Sequence, residues 1–182
     1  MSILINPNCL IEESLKITIL TSVAVLSAIK SVYNLDVKLK WVNDIILNDL
    51  KVGGILCESQ INLNNNIIDN MIVGIGINVK NFEFPPSLKN IATSIENNTN
   101  IKISRNELIS EIINFFDLYF IDNKNYLDLY KENSYVLGKD ITVIQNDRQF
   151  FAKAIDIEDN GALIVQEQEK IIKLISSDIS IR

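Results

Sequence analysis

Histidine is absent from this chain of 182 residues. Its absence removes imidazole acid–base catalysis, Ser-His triads and most zinc sites. Arginine is scarce, confined to Arg105, Arg148 and Arg182. No long basic run occurs and the net charge is -6, so nucleic acid is not an expected partner: phosphate binding needs clustered Lys and Arg. Cysteine is limited to Cys9 and Cys57, with no CxxC spacing. Two reduced, buried thiols in a reducing compartment are expected, and the acidic balance suits a soluble cytoplasmic protein. The N-terminus lacks a basic region ahead of an apolar one, the mark of a signal peptide. The best membrane candidate, "ITILTSVAVLSAI", is shorter than the roughly 20 apolar residues a bilayer span needs. It reads as a buried helix, and no membrane association is expected.

What is present is apolar: 47% of residues are hydrophobic, enough for one sizeable core and a small second domain. Residues 2–6 read as a strand and 11–33 as a helix with Glu12 and Glu13 in its first turn, where the helix dipole favours them. Residues 37–47 and 51–58 read as two strands around an Asn48-Asp49 turn, followed by an Asn-rich loop, "NLNNN", and a buried strand over 69–79. Residues 82–103 are irregular. Ser104 and Glu107 form a capping-box pair opening a helix to about residue 121, and a short helix covers 124–133. From Tyr135 strands alternate with turns at Asn146-Asp147, Asn160-Gly161 and Ser176-Ser177. The expected division is therefore residues 1–134 and an all-β module over 135–182, close in size to an SH3-like barrel.

The stretch "LKWVNDIILNDLKVGGILCE", Leu39 to Glu58, is unusually polar for its surroundings. A two-residue turn pairs Leu47 with Leu50, Ile46 with Lys51 and Asp44 with Gly53. With side chains alternating faces, Lys40, Asp44, Ile46 and Lys51 share one face, and Trp41 and Asn43 point to the other. A three-residue turn would reverse this parity. On that face, Gly53 and Gly54 leave room for a ligand to approach the backbone. A cation in a partly dry groove binds carboxylate or phosphate, and Asp44 is placed to hold the lysine or a magnesium ion. Spacing alone leaves open an ordinary solvated hairpin face.

A second element, "GIGIN", strips one strand face of side chains at Gly74 and Gly76 and continues it with Asn78, which offers a donor and an acceptor. Such groups suit an adenine edge. The pattern does not open a helix as a dinucleotide-binding turn must, and close strand packing explains it equally well.

Taken together, the motifs resemble the biotin–protein ligase family. "KWVND" (Lys40 to Asp44) is similar to the family's KWPND, "KVGGILCE" (Lys51 to Glu58) to its KLAGIL-E, and "GIGINV" (Gly74 to Val79) is unchanged; "ATS" (Ala92 to Ser94) follows in order. "LGKDITV", "DNGALIV" and "DISIR" fit the family's C-terminal module. The resemblance implies an α+β fold: a mixed or antiparallel sheet with packed helices, class II synthetase-like, then a small SH3-like β-barrel. It implies biotin and ATP as substrates with Mg2+, biotinyl-AMP as intermediate, and a lysine of a biotin carboxyl carrier domain as acceptor. Adenylation of this kind rests on alignment and charge neutralisation more than on a tuned imidazole. Lys51 is implied as the key catalytic residue, with Asp44 and Lys40 beside it and Asp44 as the magnesium contact. Asn43, Gly53, Gly54, Leu56, Gly74, Gly76 and Asn78 are implied to line the substrates. A homodimer through the sheet is allowed by analogy. A lipoate–protein ligase relative shares the fold and chemistry and is the neighbouring alternative.

This sequence departs from the family in two places. Val42 replaces a proline. The family's glycine- and arginine-rich loop lies upstream of the strand matched by "MSILIN", and none of the three arginines here neighbours a glycine. The expectation is a catalytic domain incomplete at its front, with a non-catalytic fragment or binding module as a further alternative.

Overall fold

The computed structural model describes residues 1–62, 65–81, 83–122, 125–145 and 148–181. The expected Asn146-Asp147 turn lies outside them, as does the start of the expected helix at 124. Two antiparallel sheets and three α-helices make up the described fold.

The first sheet holds β1 (Ser2–Ile5), β2 (Cys9–Leu10), β3 (Lys38–Lys40), β4 (Asp44–Leu47), β5 (Leu50–Asn62) and β6 (Ile67–Ile77). Its order is β1-β6-β5-β4-β3, with β2 also on β6. Alternation makes the sheet two-sided. Ile55, Val73 and Ile75 point into the core, while Leu56, Ile72 and Leu4 stay exposed on the opposite face.

Helix α1 (Ser14–Tyr33), entered through a 3-10 turn at Ile11–Glu13, packs on the apolar face. The segment Ile11–Tyr33 is long and apolar enough to cross a membrane by length and composition. Here it is a core helix instead, with Ile19, Val23, Ala24, Val25, Ala28 and Ile29 fully buried. Its many β-branched residues are only moderate helix formers, so burial supplies most of its stability. Its hydroxyls are satisfied internally: Thr21 donates to the Ile17 carbonyl at 2.6 Å and Ser22 to that of Thr18 at 2.8 Å. Asn34, left-handed at φ 52°, ends the helix. Helix α2 (Arg105–Phe120) starts where expected, with the Glu107 amide donating to Ser104 Oγ at 3.3 Å. Helix α3 is Leu127–Glu132.

The second sheet holds β7 (Asp140–Gln145), β8 (Arg148–Ile157), β9 (Leu163–Glu167), β10 (Lys170–Leu174) and β11 (Asp178–Ile181), in the order β10-β9-β8-β7-β11. One apolar cluster runs from α1 and the first sheet into Ile141, Val143, Ala154 and Val165 of the second.

One element differs from the sequence reading. Residues 37–47 do not form one strand. The chain reverses at residues 41–43, and β3 pairs back on β4 with Lys40 opposite Asp44. No Gly or Pro marks this turn in "KWVND", so the local pattern looks extended.

Both thiols are half-buried. Burial pushes the Cys57 thiol up, against a hydrogen bond from Thr18 Oγ1 at 3.4 Å. Burial, then the charge of Glu13, raises Cys9. Since the thiolate is the reactive form, both cysteines should alkylate with iodoacetamide at neutral pH much more slowly in the native protein than in urea. Equal rates in the two states, read by mass spectrometry, would contradict this packing.

Candidate active site

The β4–β5 hairpin turns through Asn48 and Asp49, both left-handed at φ 50° and 62°. This is the two-residue turn whose twist matches paired strands. Leu47 faces Leu50 and Ile46 faces Lys51, as the pattern requires. A bulge then inserts Val52, so Asp44 faces Gly54 rather than Gly53.

This register gathers the charges. The Lys51 ammonium pairs closely with Asp44 Oδ1, and Lys40 Nζ lies 3.9 Å from Asp44 Oδ2. One carboxylate thus serves two cations, and the cluster carries a net positive charge. The Lys51 side chain is 45% exposed and that of Asp44 21%, so the lysine remains available to a ligand while its partner is mostly enclosed. Lys51 is also fixed through its backbone. Its amide donates to the Ile91 carbonyl at 2.8 Å, and its carbonyl accepts from Thr93 at 2.9 Å. The "ATS" segment therefore runs alongside the lysine-bearing hairpin.

The glycines divide into two kinds. A Cβ on Gly53 would lie 2.6 Å from the Gly76 carbonyl oxygen and 2.7 Å from Ile77 Cδ1. The space there is filled by protein, so Gly53 does not open room for a ligand as the sequence suggested. The bulge sets Gly54 opposite Asp44 instead, and a Cβ there would meet Lys51 Cε at 3.4 Å and Nζ at 3.5 Å. Gly76 stands opposite Gly54, and a Cβ there would find only the Gly54 carbonyl, at 3.8 Å. Gly74 lies next along the strand, opposite Leu56. Gly54 and Gly76 form the floor of a bare trough leading from the lysines toward Leu56, which is 63% exposed, and then Ile72 and Leu4; at Gly74 a Cβ would lie 3.2 Å from the Leu56 carbonyl oxygen. Beyond it, a groove of about 530 Å³ is lined by Leu4, Glu58, Ser59, Gln60, Asn70 and Ile72.

The two asparagines serve the scaffold. Asn43 Nδ2 donates to the Ile55 carbonyl at 2.9 Å and its own carbonyl accepts from Ile55 N–H at 2.9 Å, closing the 41–43 turn onto β5. Asn78, one residue past the end of β6, donates from Nδ2 to the Thr93 carbonyl at 3.1 Å and holds the "ATS" segment. Each asparagine thus commits side-chain donor capacity to the backbone.

Sequence reasoning missed three neighbours. Trp41 is buried, and Nε1 donates to the Gly161 carbonyl at 3.0 Å. Tyr135 Oη donates to Asp49 Oδ1 at 2.9 Å. Tyr130 of α3 is fully buried, with no hydrogen-bond partner for its hydroxyl among the described residues. Burial, then the nearby charge of Asp44, pushes that phenol far above its ordinary range. All three come from the chain after residue 120 or bond to it, and no local pattern announces them.

Among the described residues no group of three His, Cys, Asp or Glu could hold a metal. Asp44 is a single carboxylate already shared by two lysines. That falls short of the octahedral set of oxygens a resident magnesium ion takes.

Similarity to known proteins extends over both parts of the chain. The model of the biotin/lipoate A/B protein ligase family matches residues 2–78, and that of the biotin protein ligase C terminal domain matches residues 136–182. The bifunctional ligase/repressor BirA of Bacillus spizizenii is 31% identical over 188 residues, covering 100% of this chain and 57% of that protein. Biotin–protein ligase 2 of Arabidopsis thaliana is 37% identical over 109 residues, 54% of this chain and 32% of its own. The crystal structure of the Aquifex aeolicus biotin protein ligase superposes with a TM-score of 0.84 at 25% identity, covering 100% of this chain and 81% of that one. Family model and fold define a protein of the biotin/lipoate ligase class. Within that class, the chain belongs to the biotin protein ligase family. It spans a little over half the length of the BirA relative it matches.

Proposed function

We propose that this chain carries the adenylation and transfer site of a biotin–protein ligase, with residues 1–134 as its ligase part and 135–182 as a C-terminal module. The observation that carries the reading is the Lys40–Asp44–Lys51 cluster at the head of a glycine-floored trough. In the first step the biotin carboxylate oxygen attacks the α-phosphorus of ATP, a P–O bond breaks and pyrophosphate leaves. In the second, the amine of a carrier-domain lysine attacks the acyl carbon, loses a proton and displaces AMP. Lys51 neutralises the carboxylate and α-phosphate as they are brought together, and Lys40 adds to the field. Asp44 holds Lys51 in place and lies where the incoming amine must shed its proton. The bare backbone at Gly54 and Gly76 lets the ligand lie flat on the sheet, and Leu56 supplies apolar contact. Mg2+ arrives with ATP. The acceptor is a biotin carboxyl carrier domain, and the setting is the cytoplasm.

The test is to incubate the 182-residue chain with ATP, Mg2+, biotin and a carrier domain, and to look for biotin on the carrier by mass spectrometry. ATP-dependent labelling is the expected result. Labelling with lipoate in place of biotin would favour the lipoate branch, which the family model also spans. No labelling, with retained binding of the carrier, would favour a non-catalytic module. The partial coverage of the relatives gives that second reading its weight.

A further inference from the structure

The only tryptophan of the chain, Trp41, stands between the lysine cluster and the C-terminal sheet. Its side chain is 2% exposed. Its hydrogen-bond acceptor, Gly161, sits in the turn joining β8 to β9 at φ +88°, and a Cβ there would lie 3.1 Å from both Leu15 Cβ and Ile19 Cγ1 of α1. Backbone conformation and space both require glycine at this position. Helix α1, the second sheet and the 41–43 turn therefore meet at one carbonyl.

The hairpin is tied to the same part of the chain at further points. The Leu39 amide donates to the Asn133 carbonyl at 2.9 Å, the Tyr135 amide donates to the Leu39 carbonyl at 2.8 Å, and Tyr135 Oη holds Asp49 at the tip. The turn is only three residues long. Lys40 stands at one end and Asp44 at the other, so whatever fixes Trp41 fixes the separation and aim of both. A buried indole N–H stripped of its acceptor is costly, which makes this a firm anchor.

We infer that Trp41 is a positioning residue: through the Gly161 carbonyl, the C-terminal sheet holds the turn in the geometry that aims Lys40, Asp44 and Lys51. The inference rests on reading that cluster as the reaction site. It assigns the C-terminal sheet a part in the reaction without requiring it to touch substrate.

The test compares acetylation rates of Lys51 and Lys170 by N-hydroxysuccinimidyl acetate, measured by peptide mass spectrometry in the full chain. Lys170 is exposed on β10 and serves as internal control. An amine held on a carboxylate reacts more slowly than a free one. Trp41→Phe keeps a ring but loses the N–H, and should raise the Lys51-to-Lys170 ratio by about threefold as the pairing with Asp44 loosens. An unchanged ratio, with or without a fall in melting temperature, would overturn the inference and leave Trp41 a core residue only. Should Trp41→Phe not fold, Trp41→3-benzothienylalanine keeps the bicyclic ring and exchanges only the N–H for sulfur. The same rise at Lys51 is expected there, and an unchanged ratio would equally overturn the inference. Titration of the unaltered chain with biotin and ATP separates the two readings. A raised ratio in the variant, with no ligand binding by the unaltered chain, would sink the ligase reading and leave the positioning role standing.

Discussion

Replacing Lys51 with alanine should lower biotin transfer to a carrier domain by roughly 10²- to 10³-fold, the loss typical of a donor aimed at developing charge. The fold should survive. Lys51 is 45% exposed, and among the described residues its side chain pairs with Asp44 alone, so the lost pair is worth at most about 1 kcal/mol. Asp44 keeps Lys40 as a partner at 3.9 Å, so no carboxylate is left unpaired. The measurement is a time course of carrier labelling beside a thermal melt. Retained labelling would show that the cluster is a solvated hairpin face, the reading that spacing alone allows. A collapsed melting temperature would show that the lysine is structural.

The second large effect separates two glycines that look alike in the sequence. Gly53→Ala should destabilise the protein by about 1–3 kcal/mol, because the new methyl meets a backbone carbonyl at 2.6 Å that cannot swing away. Gly76→Ala should leave the melting temperature within a degree or two, about the effect of a neutral surface change. Its methyl has only the Gly54 carbonyl, at 3.8 Å, for a neighbour. That methyl nevertheless stands on the trough floor beside Gly54. It should weaken biotin or adenylate binding by about tenfold or more, the scale on which a pocket senses one carbon. Calorimetric titration and melts on both variants decide the matter. Normal binding by Gly76→Ala would mean that the ligand does not lie along the trough.

The sequence by itself determined a good deal. The apolar run of α1, the Ser104 cap of α2, the Asn48-Asp49 turn and the lysine-bearing hairpin all follow from local rules: periodicity, capping and turn chemistry. The residues of the proposed site were also legible, because three motifs in order are far more specific than any one of them. Only the tertiary structure decided which of those residues share the open face of the hairpin. A strand pattern sets faces with period two, so one inserted residue changes every neighbour beyond it. The bulge at Val52 exchanged Gly53 for Gly54 opposite Asp44 in this way. That Asn43 and Asn78 also donate to the Ile55 and Thr93 carbonyls became visible only in the fold. The bond between Trp41 and Gly161 joins residues 120 apart. No window of the sequence contains both, and a contact of that kind exists only once the core has brought α1, the turn and the second sheet to one place.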